Sequence, residues 1–256
     1  MERHFNCTAC GKCCTGWLPL TLGDALTHAD RFPLFIIWSP VRQGGRSFDE
    51  TARLGITLRL KRGKKAAVRI YPVSYIPPSM ACSELTDDGL CGLHPDKPLR
   101  CRTMPFSAAR DETDQNDLLI PKPGWLCDTT EEAVVVYQDK KVITRESFDL
   151  ERQTLKQDSA VLVPYAEWLL DSVPTLRPEL MKVAMKPAGG HIVLNFTTLI
   201  PRMPKVDMYE FAAKQAPVLR TFAEKTANIP EFDEYHQRYD QCARELERIN
   251  DQNQSI

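Results

Sequence analysis

No stretch of the chain stays apolar long enough to cross a bilayer; the most apolar run, Phe32 to Trp38, is short and interrupted by Pro33. The first ten residues, MERHFNCTAC, contain no apolar leader core. Neither sign of charge predominates, with 33 Lys and Arg against 34 Asp and Glu and a net charge of -1. No global field therefore recruits nucleic acid or an anionic membrane. Histidine is scarce, five in 256 residues, and none stands in an H-E-x-x-H pattern. Pro187-Ala-Gly-Gly190 lacks both the lysine of a phosphate loop and the glycine spacing of a dinucleotide fold. Internal repeats and long flexible linkers are also missing. These absences predict a soluble, cytoplasmic protein without a membrane partner, and nucleic acid is not an expected ligand. They leave the oligomeric state open.

What the chain has in quantity is cysteine. Four of its nine lie at Cys7, Cys10, Cys13 and Cys14, inside FNCTACGKCCTG. In a reducing compartment structural disulfides are not expected, and clustered free thiols oxidise one another, so metal ligation is the economical account. Cys7, Cys10 and Cys13 form C-x-x-C-x-x-C, the spacing with which ferredoxin loops give three ligands to one cubane. Cys14 points its side chain elsewhere and would serve another metal atom or a second site. Cys82, Cys91, Cys101 and Cys127 complete a pool of eight thiols. Two four-ligand sites, one cluster plus a single ion, or a multinuclear centre would use them equally well.

All-thiolate sites suit zinc and iron–sulfur clusters alike. Only the first segment supplies C-x-x-C pairs, which favours a cluster, most simply [4Fe-4S], with zinc as the alternative. Such a centre carries negative charge that nearby cations and main-chain N–H groups offset. Lys12, Arg100 and Arg102 are the candidate cofactor-binding residues, with Lys97 beside them. The ninth cysteine, Cys242, falls on the apolar seam of a terminal helix and reads as a core residue.

Along the chain, Thr21-Leu-Gly-Asp24 has the form of a helix start. Ile56, Leu58 and Leu60 alternate with polar residues before Ala67 to Tyr71, which predicts a β-hairpin with a charged tip. Its Arg59, Lys61, Arg62, Lys64, Lys65 and Arg69 read first as a solvated end and second as a docking patch. Asp88-Gly89 predicts a turn with Cys82 and Cys91 on or near its arms. Pro95, Pro98 and Pro105 predict a rigid irregular loop around Cys101. Asp111 to Asp117 reads as an exposed loop, Trp125 as the return to the core, and Ala133 to Thr144 as a second hairpin. Thereafter helices are expected over 146–156 and 161–171, with Tyr165, Trp168 and Leu169 on one apolar face, a strand at 191–196, a helix from Asp207 kinked at Pro217, and a terminal helix through Tyr239, Cys242 and Leu246.

Phe5-x-Cys7-x-x-Cys10-Gly-x-Cys13-Cys14, then Cys82 with Asp-Gly-x-Cys91, then Pro98-x-x-Cys101-Arg102-x-x-Pro105-Phe106 resemble the YkgJ-type C-x-x-C-x-x-C-C family over residues 5 to 127. The resemblance implies a cytosolic zinc- or iron-chelating protein. Flagellin lysine methylases carry a similar cysteine set, so methyl transfer to protein lysine enters as a family-level alternative. Leu93-His94 and Lys97-Pro98 depart from the family pattern, and Met104 replaces an aromatic residue. His94 reads as a locally bonded loop residue before it reads as a ligand.

The expectation is an α+β fold: a cysteine-rich loop and hairpin metal core over 1–145, and a mostly helical region, 146–256, packed on it. The expected function is iron–sulfur binding with a redox or cluster-dependent catalytic role and a protein redox partner or protein substrate. The alternatives are a zinc-stabilised binding module and a lysine methylase-like enzyme.

Overall fold

The structure, a computed structural model, describes residues 2–94 and 96–254, without the side chains of Arg62, Asn253 and Gln254. Pro95 and the Arg62 side chain, both invoked above, thus lie outside the described residues. In chain order the elements are β1 (Glu2–His4), β2 (Leu18–Pro19), α1 (Leu22–Thr27), β3 (Leu34–Arg42), α2 (Phe48–Leu54), β4 (Ile56–Arg59), β5 (Lys65–Ser74) and α3 (Leu99–Thr103). They are followed by β6 (Val135–Gln138), β7 (Lys141–Val142), α4 (Arg145–Ser172), α5 (Leu176–Met185), β8 (Ile192–Asn195), α6 (Met208–Thr226) and α7 (Asp233–Gln254). The fold is α+β, as its sequence predicts. Among the described residues no helix is long and apolar enough to cross a membrane.

Two compact units share the chain, and neither is continuous in sequence. The first is Met1–Cys14, Trp38–Ile70 and Glu84–Ile192; the second is Thr15–Ile37, Tyr71–Ser83 and Val193–Ile256. The long strands β3 and β5 contribute residues to both.

In the first unit β1, β6 and β7 form a small antiparallel sheet, with Arg3 opposite Tyr137 and Tyr137 opposite Val142. Its inner face joins Phe5, Phe106, Phe148 and Leu155 in one hydrophobic cluster, and Cys127 packs partly buried against it. β4 pairs antiparallel with β5, Ile56 opposite Val68 and Arg59 opposite Lys65, so the hairpin forms as its alternation predicts. Gly55 leads into it because a Cβ there would meet the Val68 carbonyl oxygen at 2.0 Å. α4 runs unbroken through Pro164 where the sequence predicts two helices. Leu162, Tyr165, Ala166 and Leu169 are buried on both sides of the proline, and that packing outweighs one lost main-chain bond. Trp168, expected on the same apolar face, is instead 37% exposed.

The acidic stretch at 111–117 is not a free loop. Two turns of 3-10 helix, Glu112–Asp114 and Asn116–Leu119, are tied down by Arg110 to Asp114 and Asp117, and by Arg145 to Glu112. Gln115, fully buried, accepts from the Ser107 N–H at 2.9 Å and donates to the Ser107 and Asp111 carbonyls at 3.0 and 2.9 Å. A turn-forming composition cannot reveal ion pairs that long-range folding makes.

In the second unit the capping box at Thr21 and Asp24 starts α1 as read, and Asp207 caps α6 by accepting from the Glu210 N–H at 2.8 Å. α6 continues past Pro217. Arg220 joins α6 to α7 through Asp240 and Glu247, each at 2.7 Å. Tyr75 lies among Trp17, Phe35, Tyr235 and Tyr239, with ring centroids 5.0, 5.0, 4.5 and 6.3 Å away. Gln215, 1% exposed, accepts from the Leu34 N–H at 3.0 Å and donates to the carbonyls of Phe32 and Ala29. Cys242 is buried, as its helical register predicts, and burial pushes its thiol up to about 12.

Candidate metal centre

Seven of the eight cysteines in the predicted pool belong to the first unit; Cys82 belongs to the second. All nine cysteines of the chain are free thiols. Two main-chain bonds fix the entry to the cysteine loop, Asn6 N–H to Asp128 O at 2.8 Å and Asp128 N–H to Asn6 O at 3.0 Å. The bridge sets the next residues along, Cys7 and Cys127, on the two segments that it joins. The Thr8 hydroxyl donates to the Leu126 carbonyl at 2.9 Å and clasps the same two segments together. The loop then turns through left-handed backbone at Ala9 (φ 55°) and Gly11 (φ 68°), and the Cys14 N–H closes it onto the Gly11 carbonyl at 3.0 Å.

A hairpin supports the loop from beneath. Thr86 and Asp88 hold its turn, with Gly89 N–H bonded to Thr86 O at 2.9 Å and Gly92 N–H to Glu84 O at 2.7 Å. The turn is the one Asp88-Gly89 predicts, but the residue opposite Cys91 is Leu85. Cys82 stands earlier in the chain, where the preceding Ala81 bridges to Thr15, the residue after Cys14. A Cβ on Gly11 would meet Leu85 at 3.0 Å, and one on Gly89 would meet the Ala9 carbonyl at 3.1 Å. Both glycines are therefore dictated by close approach as well as by positive φ.

Cys101 lies on α3, not in the irregular loop expected from the flanking prolines. Pro98 occupies the position just before the first helical residue, where its missing N–H costs nothing, and Pro105 falls past the last, so the helix fits between them. Trp125 is half-exposed beneath the Lys122 ammonium, 5.4 Å from its ring centroid. The return to the core is made by Cys127 instead.

The thiols sense one another. The Cys14 sulfur lies 4.0 Å from that of Cys13, and this hydrogen bond is the main reason the Cys13 thiol falls to about 6; the Lys97 and Arg100 cations add to it. A main-chain bond from Leu126 and a second from Lys12 lower Cys10. Cys127 moves the other way, raised first by burial and then by the charges of Cys10, Cys7 and Cys13. Repulsion among four sulfurs, with one held as thiolate at neutral pH, is the electrostatic condition that a soft cation relieves. The donor set thus fits a thiophilic metal. Among the described residues no three His, Cys, Asp or Glu side chains already stand close enough to hold one ion.

The predicted cofactor-binding residues separate. Lys12 acts through its main-chain N–H at Cys10. Arg100 donates to the Phe106 carbonyl and brings its charge to Cys13. Arg102 is exposed, its N–H bonds the Pro98 carbonyl at 3.1 Å, and its side chain makes no hydrogen bond or ion pair among the described residues. His94 is an exposed loop residue whose N–H bonds the Cys91 carbonyl at 3.3 Å.

Sequence reasoning misses Glu151, on the face of α4 next to α3. It is 4% exposed, one of its carboxylate oxygens has no hydrogen-bond partner, and burial raises its pKa against the pull of Arg100. The available signal is its place in the stripe Phe148, Glu151, Leu155, Leu162, a charge where helical periodicity demands an apolar residue.

No curated protein and no solved structure is matched by the chain. One family model is matched, described as a putative zinc- or iron-chelating domain, over residues 6–128, which contain the cysteine loop, the Asp88-Gly89 hairpin, α3 and Cys127. Over that segment, a little under half of its length, the chain is similar to the CxxCxxCC family.

Proposed function

We propose that the protein holds an iron–sulfur cluster on the thiolates of Cys7, Cys10, Cys13 and Cys127, with Cys14, Cys91 and Cys101 as the remaining donors of the same unit. The observation that carries this reading is the mutual electrostatic influence of those four sulfurs, two of them on the segments that the Asn6 to Asp128 bridge joins. Four ligands are then available without Cys82. The C-x-x-C-x-x-C spacing favours a cluster over a single ion, and Lys97 and Arg100 offset its charge. A bound cluster supplies one-electron redox chemistry. The chain's own contribution is to keep Cys13 ionised, to limit solvent around Cys127, and to present the Lys12 N–H toward sulfur.

A zinc site is the second reading, favoured by the family description and by the neutral-pH thiolate at Cys13. Iron, zinc and acid-labile sulfide analysis with EPR on anaerobically purified protein separates the two. The cluster reading expects iron and sulfide in near-equal amounts and broad absorption at about 400 nm, both lost in Cys13→Ser. Stoichiometric zinc in a colourless protein without sulfide would replace it with the structural site.

A further inference from the structure

On the first unit, away from the cysteines, a cavity of 490 Å³ lies between β4 and α4. Its volume is in the range of ligand sites. Gly55, Ile56, Thr57 and Leu58 line it from β4 and its entry, Glu167 and Asp171 from α4, and Arg177 from α5. Two features of these walls bear on what enters.

Among the described residues β4 pairs with β5 alone, so half of its N–H and C=O groups face away from any strand. Glu167 and Asp171, one helical turn apart, are exposed, and neither side chain has an ion pair or hydrogen bond among the described residues. At i and i+4 two like charges repel, and among the described residues no ion pair is made by either carboxylate. That contrasts with Asp114, Asp117, Glu112 and Asp149 of the same unit, each paired with an arginine.

The spacing selects the occupant. Four residues of helix advance about 6 Å, close to the spacing of about 6.8 Å between alternate side chains of an extended strand. We propose that this groove binds an extended peptide segment bearing basic side chains at alternate positions, added to the free edge of β4, with its cations on Glu167 and Asp171. Strand addition supplies affinity through main-chain bonds and the carboxylates supply selection. Arg177 then faces an acidic residue or terminal carboxylate at the end of the segment. The inference is independent of the metal reading.

The test uses the intact protein and a fluorescein-labelled, end-capped hexapeptide, Lys-Thr-Lys-Val-Lys-Thr, read by anisotropy. Saturable binding is expected, weakened about tenfold or more in the Glu167→Gln, Asp171→Asn double variant and by Glu in place of Lys in the peptide. Both substitutions are on the surface and remove a repulsion, so the melting curve of the variant should match that of the parent. The same peptide N-methylated at alternate amides keeps its charges and loses its donors, and a similar loss is expected. Equal binding of the Glu peptide, or unchanged binding by the double variant, overturns the site. Equal binding of the N-methylated peptide overturns strand addition.

Discussion

Glu151 shows what a single misplaced charge does to this fold. A carboxyl that is nearly buried favours its neutral form, so its folded pKa lies above its unfolded value. The sign follows from linkage: the folded state binds the proton more tightly, and stability falls as pH rises from the ordinary carboxylate range through the raised pKa. Glu151→Gln keeps the shape and cannot ionise. Thermal melting from pH 5 to 8 should therefore decline less steeply in the variant, which becomes the more stable protein at the upper end. Parallel curves would show that Arg100 and Arg69 keep the carboxylate ionised throughout. The cysteine loop works in the opposite sense: hydrogen bonds and cations stabilise the charged form of Cys13, so metal uptake should weaken as pH falls through about 6.

At the scale of elements, close main-chain approach and buried amides set the tolerances. Gly55→Ala drives a methyl into the Val68 carbonyl, and separating β4 from β5 to admit it should lower stability by about 3 kcal/mol in urea unfolding. Gln115→Ala and Gln215→Ala each strand several buried main-chain groups at a similar cost, about 2 to 4 kcal/mol. The sequence announces the elements with local causes: the Thr21 cap, the Asp88-Gly89 turn, the alternation of β4, the seam of α7. It does not announce α2, β3 or the unbroken α4, because their stability comes from burial against segments far along the chain. The ligand loop is legible for the same local reason, since C-x-x-C-x-x-C is a spacing. The approach of the Cys127 segment to that loop is not, because a bridge across some 120 residues, Asn6 to Asp128, sets it.

For the whole molecule, the path of the chain matters more than any element. The matched segment, 6–128, omits Tyr137, Val142, Phe148 and Leu155, which complete the hydrophobic cluster under Phe5 and Cys127. Expressed alone, it should show no cooperative melting transition and should expose apolar surface to a dye such as ANS. A sharp transition would mean that the metal loop folds without α4. The first unit begins with the cysteines and is finished only at Ile192, so nearly 180 residues separate its opening loop from its last segment. A ribosome adding about 5 to 20 residues per second leaves those nascent thiols without the rest of their unit for about 10 to 35 s. During biosynthesis, oxidants and stray ions can reach the cysteines before the unit that holds their loop in place is complete.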